Sequence, residues 1–120
     1  MKRILIVDDD VDILNVLNVV LKFHGFEVIS TQLGTEVVTK TLSFSPNLIL
    51  LDVFLSGIDG RDVCNKLKED SETKKIPVIM FSAHSNKKEI LQYCQADDFI
   101  AKPFDITELV SKINGLIDTN

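Results

Sequence analysis

The sequence contains several short runs of apolar residues, and each run ends at a polar residue. Residues 48–51 form one such run, which ends at the carboxylate Asp52. A run of this length is too short for a stable isolated helix and is typical of a buried strand. Ser56, Gly57 and Gly60 follow as turn-forming residues, so Asp52 is predicted to lie where a strand ends in a loop. The same design recurs where residues 4–7 end at Asp8, Asp9 and Asp10, residues 78–81 at Ser82, and residues 99–101 at Lys102.

The polar residues that end these runs are predicted to meet in one place. Strands that are apolar throughout are typical of a parallel sheet buried on both faces. In such a sheet the carboxyl ends of the strands lie along one edge, where ligands bind. The pattern therefore predicts that the carboxylates, the Ser82 hydroxyl and the Lys102 ammonium group converge on one pocket.

Helical segments separate the strands. Residues 11–24 have apolar residues at helical spacing, residues 26–30 alternate like an edge strand, and residues 34–44 form a weaker helical pattern with Leu42 on its apolar face. Five strands that alternate with five helices predict right-handed crossovers and helices on both faces of the sheet. Because no linker interrupts the alternation, residues 1–120 are expected to form a single domain.

Charge and composition exclude several classes of function. The chain has 18 acidic and 13 basic residues and a net charge of −5, so repulsion of phosphate disfavours direct binding to nucleic acid. No segment approaches the ~20 apolar residues of a membrane span, and a soluble, cytoplasmic protein is expected. Cys64 and Cys94 lack the spacing of a metal site, which favours buried free thiols in a reducing compartment.

A cluster of Asp8, Asp9 and Asp52 needs a cation, because carboxylates that are brought together repel one another and resist ionisation. Oxygen ligands alone suit Mg²⁺ or another hard divalent ion. Lys102 adds a fixed positive charge and Ser82 adds a hydrogen-bond donor. These groups describe a pocket for a small, multiply charged oxyanion, with one carboxylate free to attack it.

These residues together resemble the receiver domain of response regulators in two-component signalling. The similarity extends over nearly the whole chain, from residue 2 to residue 118. Each motif is weak alone, but the combination is highly specific. The matching pieces are the pair Asp8-Asp9, the LLD motif that ends at Asp52, the loop with Gly57 and Gly60, the pair Ser82-Ala83, and the motif ADDFIAKPF over residues 96–104.

The resemblance implies an α/β fold of the doubly wound (βα)5 type, with a five-stranded parallel sheet in the flavodoxin-like order 2-1-3-4-5. It implies that Asp52 accepts a phosphoryl group from a histidine kinase, a phosphotransfer protein or a small phosphodonor. Asp9, Asp52 and the backbone carbonyl of Phe54 would bind Mg²⁺ or Mn²⁺, while Asp8 would act mainly through bound water. Such a domain is not an enzyme in the usual sense, because it catalyses only its own phosphotransfer and dephosphorylation.

The resemblance also implies a switch. Lys102 would pair with the phosphoryl oxygens, helped by a cis peptide bond to Pro103, and Ser82 would donate a hydrogen bond to one of them. Phe99 matches the aromatic switch position, so its ring would turn inward after phosphorylation and reshape the surface of helix four, strand five and helix five. This surface would bind a downstream protein, an effector domain or a second copy of the chain.

Four residues bear on how this chain differs from the family pattern. Ser56 stands where the family usually has proline, which is expected to loosen the loop without loss of chemistry, and Gln95 replaces a frequent glycine. Phe54 and His84 occupy positions that tune phosphoryl lifetime in this family. Because the Phe54 side chain offers no group to position an attacking water, slow self-dephosphorylation is expected.

Two other functions stay open. A degenerate receiver would keep the acidic cluster as inherited architecture and act as a constitutive protein-interaction module. A phosphohydrolase with an aspartyl nucleophile could share the fold, but that class resembles Asp-x-Asp at its nucleophile, and Phe54 stands here in place of the second acid. The sequence also leaves open whether the chain is a stand-alone regulator or the receiver of a longer protein.

Overall fold

A five-stranded parallel sheet forms the centre of the protein. The structure is a computed structural model and describes residues 1–83 and 87–117. Its strands run in the order β2-β1-β3-β4-β5, and every neighbouring pair is parallel, so the predicted fold class and strand order are confirmed. The strands are β1 (Arg3–Val7), β2 (Glu27–Thr31), β3 (Leu48–Asp52), β4 (Val78–Ser82) and β5 (Asp98–Ala101).

Each helix connects one strand to the next or follows the last strand. Helix α1 (Val11–Phe23) begins where the Asp10 side chain accepts a hydrogen bond from the Asp12 backbone N–H. It ends before Gly25, whose φ of 91° suits glycine. None of the helices in residues 1–83 and 87–117 has the length and apolar character of a membrane span. The helices are α1 (Val11–Phe23), α2 (Val37–Phe44), α3 (Gly60–Glu69), α4 (Lys87–Tyr93) and α5 (Ile106–Ile117), and a short 3-10 turn at Gly34–Glu36 precedes α2.

Alternate side chains of the strands enter two separate hydrophobic cores, one on each face of the sheet. Because both faces are covered, the central strands have no polar alternation and their sequences are continuous apolar runs. Cys64 and Cys94 are buried free thiols in one of these cores, as predicted. Leu5, Val7, Ile49 and Leu51 face the core with α2, α3 and α4, whereas Ile4, Ile6, Leu48 and Leu50 face the core with α1 and α5.

Helix α2 buries Val37 and packs Val38 against the core, as its sequence predicts, but it does not bury Leu42. Leu42 is 48% exposed, whereas Thr41 is buried beside Val37, so the prediction that Leu42 faces inward is wrong. The Thr41 hydroxyl donates a hydrogen bond to the Val37 backbone carbonyl at 2.7 Å. With its polar group satisfied inside the helix, threonine can occupy the inward position at little cost.

The segment after β3 is a small hairpin rather than an open loop. Phe54–Leu55 pairs antiparallel with Ile58–Asp59, and Ser56 and Gly57 form the turn between them. Both turn residues have positive φ, 39° and 87°, as a two-residue type I′ turn requires. Proline cannot adopt a positive φ, so the serine at position 56 is compatible with a turn that the usual proline would exclude.

Gly60 lets the start of α3 pack directly against the end of β3. A Cβ atom at this position would overlap the backbone carbonyl oxygen of Asp52. The Gly60 N–H also donates to the Val53 carbonyl at 2.7 Å. Gly60 is therefore required for close backbone contact, and this contact helps to fix the position of Asp52.

We expect Gly60→Ala to lower the free energy of unfolding by about 1–3 kcal/mol, because the added methyl group must displace backbone atoms rather than a flexible side chain. Gly115→Ala is the matched control, since a Cβ on Gly115 in α5 meets nothing within 4 Å. That variant should be neutral or up to ~1 kcal/mol more stable, because alanine favours helix. Urea unfolding of the three proteins measures both effects, and equal midpoints for Gly60→Ala and the wild type would contradict the packing argument.

Candidate functional site

The carboxylates of Asp8, Asp9 and Asp52 lie together at the carboxyl edge of the sheet. Asp8 and Asp9 follow β1 directly, and Asp52 ends the neighbouring strand β3. Since Val7 pairs with Leu51 in this register, Asp8 and Asp52 emerge at the same level. One ligand oxygen from each carboxylate lies within 4.8 Å of the others. The structure thus brings together the acids that the strand pattern predicts to converge.

Lys102 joins two of these carboxylates. Its Nζ donates to Asp8 Oδ2 at 2.8 Å and to Asp52 Oδ2 at 3.2 Å. The residue follows β5, where its backbone N–H donates to the Ser82 carbonyl at 2.9 Å and so continues the pairing with β4. Its ammonium group also lies 4.7 Å from the centre of the Phe81 ring, a cation–π contact. The Lys102–Pro103 peptide is cis, as the resemblance implies.

Burial divides the acidic cluster into an inner pair and an outer residue. Asp8 is fully buried and Asp52 is 5% exposed. Asp9, by contrast, is exposed to solvent. Backbone donors assist the inner pair, because Asp8 Oδ1 accepts from the Asp10 N–H at 2.9 Å and Asp52 Oδ1 accepts from the Phe54 N–H at 3.4 Å.

Burial and charge act in opposite directions on the inner groups. Burial, followed by repulsion from Asp8, raises the pKa of Asp52 from its ordinary 3.8 to about 6, although Lys102 opposes the rise. For Lys102, burial alone would lower the pKa, but the hydrogen bond to Asp8 and the charges of both acids outweigh it and the pKa is raised. The lysine therefore stays charged, while Asp52 loses its proton at a higher pH than an ordinary aspartic acid does.

The donor set fits a hard divalent cation. The cluster contains only carboxylate oxygens, and Lys102 pairs with Asp8 and Asp52. Once ionised, three carboxylates against one ammonium group leave an excess negative charge that matches a divalent ion. Mg²⁺ and Mn²⁺ bind in such oxygen-only sites and retain several water ligands.

The other predicted site residues lie around this cluster. Ser82 ends β4 and is fully buried, and Phe99 lies in β5 with only 6% of its surface exposed, in the core that also contains Ile90 of α4 and Cys94, which directly follows α4. Phe54 follows Asp52 by two residues, and its side chain is 56% exposed. His84 lies outside the described residues.

Two residues that contact Asp9 were not predicted from the sequence. The Ser56 hydroxyl donates to Asp9 Oδ2 at 2.9 Å, and the Gln32 side-chain amide donates to the Asp9 backbone carbonyl at 3.1 Å. Ser56 was recognisable as a departure from the usual proline, but its partner was not, because the two residues are far apart in sequence. Gln32 carries no motif that could have identified it.

The comparisons with known proteins agree with this geometry. Residues 4–114 match the family model of the response regulator receiver domain. The chain therefore belongs to the response regulator receiver domain family and is a receiver domain of the two-component type. The DNA-binding response regulator MtrA of Mycolicibacterium paratuberculosis is 36% identical over 121 residues, which cover 99% of this chain and 52% of that protein. The chain thus spans about half the length of this curated relative.

Solved structures show the same fold. A putative response regulator from Chloroflexus aurantiacus superposes with a TM-score of 0.90 at 32% sequence identity and covers 98% of both chains. A CheY-like response regulator receiver domain protein from Methanospirillum hungatei also gives a TM-score of 0.90 at 30% identity, and the match covers 98% of this chain and 94% of that one. The likeness extends over the whole architecture and includes the strand ends that carry the acidic cluster.

The raised pKa of Asp52 predicts how stability depends on pH in metal-free protein. A carboxyl group whose pKa is higher in the folded state stabilises the fold at low pH, and this contribution is lost as pH rises through about 6. Asp52→Asn removes the ionisation, so the variant should be more stable than the wild type at pH 7 by on the order of 2 kcal/mol. The advantage should shrink as the pH falls towards 4.

Urea unfolding in a chelating buffer, repeated between pH 4 and pH 7.5, measures this difference. Groups that do not contact Asp52 titrate alike in both proteins, so their contributions cancel in the comparison. A stability difference that stays constant across this range would show that the ionisation of Asp52 is not opposed by its surroundings.

Proposed function

We propose that this chain is a phosphorylation-dependent signalling switch that accepts a phosphoryl group on Asp52 from a histidine kinase or a phosphotransfer protein. The observation that supports the proposal most directly is the environment of the Asp52 carboxylate. It is buried at the end of β3, lies 3.2 Å from the Lys102 ammonium group and shares its pocket with two further acids. Membership of the receiver domain family is consistent with this role.

The proposed reaction transfers a phosphoryl group from a nitrogen of the donor histidine to a carboxylate oxygen of Asp52. An Asp52 oxygen forms a bond to phosphorus while the bond from phosphorus to the donor histidine breaks, and the donor nitrogen keeps the bonding electrons. The products are an aspartyl phosphate and an unmodified histidine. Lys102 favours the attacking form of Asp52, because its charge opposes the rise in pKa that burial produces.

The acidic cluster would hold the divalent ion that this reaction requires. Asp9, Asp52 and the backbone carbonyl of Phe54 would bind Mg²⁺ or Mn²⁺ directly, and Asp8 would act through bound water. The bound ion supplies positive charge that offsets the repulsion between the carboxylates and the incoming phosphoryl oxygens.

Lys102 and Ser82 recognise the phosphoryl group after transfer. The Lys102 ammonium group already contacts Asp52 Oδ2, so a phosphoryl oxygen on Asp52 lies within reach of a short movement while the contact with Asp8 is kept. Ser82 ends the neighbouring strand β4 and donates its hydroxyl to a second phosphoryl oxygen. Since the Lys102 backbone N–H donates to the Ser82 carbonyl, the main chains of the two residues are held side by side.

Phosphorylation would shift the populations of two conformations of the same fold, and this shift would transmit the signal. Phe99 lies in β5, and only 6% of its surface is exposed. Phosphorylation would stabilise the inward arrangement of its ring. Because Phe99 shares a core with Ile90 of α4, a change in its position alters the packing of α4 and hence the surface formed by α4, β5 and α5.

This surface controls a downstream protein, an effector domain or a second copy of the chain. MtrA is a DNA-binding regulator, but the present chain covers only about half of that protein. We assign no nucleic-acid contact to the receiver itself, because its net charge of −5 repels phosphate.

Incubation with acetyl phosphate tests the chemistry. We expect intact mass spectrometry to show a single phosphoryl adduct on the wild type that requires Mg²⁺ and is absent from Asp52→Asn, because Asp52 supplies the attacking oxygen. Asp12→Asn is the matched control, since Asp12 is an exposed acid in α1 outside the cluster, and it should form the adduct normally. A folded wild type that forms no adduct with acetyl phosphate or with a histidine kinase would favour a constitutive interaction module.

Phosphoryl lifetime should depend on position 54. The Phe54 side chain is exposed beside Asp52 but cannot orient a water molecule for attack on phosphorus. Phe54→Asn should therefore lose its phosphoryl group roughly tenfold faster, less than a full general base would achieve, because an amide can orient water but cannot remove its proton. Phe54→Leu keeps an apolar side chain and should decay like the wild type. Equal decay of all three phosphoproteins would remove Phe54 as a determinant of lifetime.

A further inference from the structure

Asp9 is the acid of the cluster that Lys102 does not neutralise. Lys102 forms ion pairs with Asp8 and Asp52. Within residues 1–83 and 87–117, Asp9 forms no ion pair, and its side chain accepts a hydrogen bond only at Oδ2, from the Ser56 hydroxyl at 2.9 Å. One carboxylate oxygen is thus held by a neutral donor, and the other accepts no hydrogen bond from the described residues.

Ser56 presents its hydroxyl from a well-anchored turn. The preceding residue, Leu55, is only 2% exposed, and its side chain packs close to Gly34 at the start of the 3-10 turn. The hairpin strands pair on both sides of Ser56, and its φ of 39° is set by the two-residue turn. Buried packing and backbone pairing therefore fix the Ser56 backbone, and its hydroxyl reaches Asp9 Oδ2 from this position.

The backbone of Asp9 is held as well. The Gln32 side-chain amide donates to the Asp9 carbonyl at 3.1 Å. Asp9 is thus bonded on its main chain by the loop after β2 and on its side chain by the hairpin after β3. An exposed carboxylate without such contacts would sample several rotamers, and binding to a cation would cost it that freedom.

We propose that Ser56 is a positioning residue for the divalent cation: its hydroxyl holds Asp9 Oδ2 and leaves the other carboxylate oxygen to bind the ion. The inference rests on the proposed function in taking the acidic cluster as the cation site. Residues that orient a metal ligand typically change metal affinity by 10–100-fold when they are replaced. Because Ser56 and Asp9 are both exposed and water can partly replace the hydroxyl, the effect should lie near the lower limit.

The test measures binding of the metal alone, without phosphorylation. Titration of unphosphorylated protein with Mn²⁺, followed by the electron paramagnetic resonance signal of the free ion, gives the dissociation constant, and competition with Mg²⁺ gives the corresponding value for that ion. We expect Ser56→Ala to raise both dissociation constants about tenfold. Ser56→Gly should do the same, although glycine removes the strain of a positive φ.

Ser45→Ala is the matched control for the backbone. Ser45 also has a positive φ, 52°, but it caps the end of α2 and is not part of the acidic cluster. This variant should bind Mn²⁺ like the wild type. Urea unfolding of all variants in chelating buffer shows whether each is folded before its affinity is compared.

A second measurement separates cation binding from the transfer step. The rate of modification by acetyl phosphate in Ser56→Ala should be reduced at low Mg²⁺ and equal to the wild-type rate at saturating Mg²⁺. A rate that stays low at saturating Mg²⁺ would overturn the positioning role.

The outcomes distinguish this inference from the proposed function. If Asp9→Asn weakens Mn²⁺ binding but folded Ser56→Ala and Ser56→Gly bind like the wild type, the cation site stands and the role of Ser56 is overturned. Tighter binding by Ser56→Ala would also overturn it, because the hydroxyl would then compete with the ion for Asp9. A wild type that binds neither Mn²⁺ nor Mg²⁺ would overturn both.

Discussion

Lys102 forms ion pairs with the buried carboxylates of Asp8 and Asp52, and the site at the carboxyl edge of the sheet depends on these two interactions. Asp8 and Asp52 are removed from water by the same packing that builds the sheet, and burial of a charged carboxylate is costly unless a partner compensates. One lysine offsets only part of that cost, so Asp52 keeps a raised pKa. The negative charge that remains suits a divalent cation, the ion that the proposed function requires.

The packing of the core places the acids and Lys102 in a defined geometry. Asp8 and Asp52 leave adjacent parallel strands at the same level, and Lys102 reaches them from β5. Gly60 keeps α3 in contact with the Asp52 backbone, and the hairpin after β3 carries Ser56 to Asp9. Each polar group is thus held by an element whose own position is fixed by buried packing, as the proposed recognition of a phosphoryl group requires.

The site and the proposed output surface share one core. Phe99 packs among residues of α3 and α4, and the surface of α4 is tied to α3 by polar contacts, with the Arg61 guanidinium 4.3 Å from the centre of the Tyr93 ring and the Tyr93 hydroxyl bonded to Asp62. Since α3 begins directly after the hairpin, contiguous packing connects Asp52 to α4, and the proposed switch would use this connection. Two alternative packings of such a core are a physical basis for a two-state response.

The amino-acid sequence determined the alternation of strands and helices, the strand ends that carry Asp8, Asp52, Ser82 and Lys102, and the oxygen-only donor set that suits a hard cation. These features follow from local periodicity and residue chemistry. Only the tertiary structure decided which acids are buried, which of them share Lys102, and that Ser56 and Gln32 hold Asp9. It also showed Thr41 in the inward position expected of Leu42. Burial and hydrogen-bond partners depend on residues distant in the chain, and no local pattern contains that information.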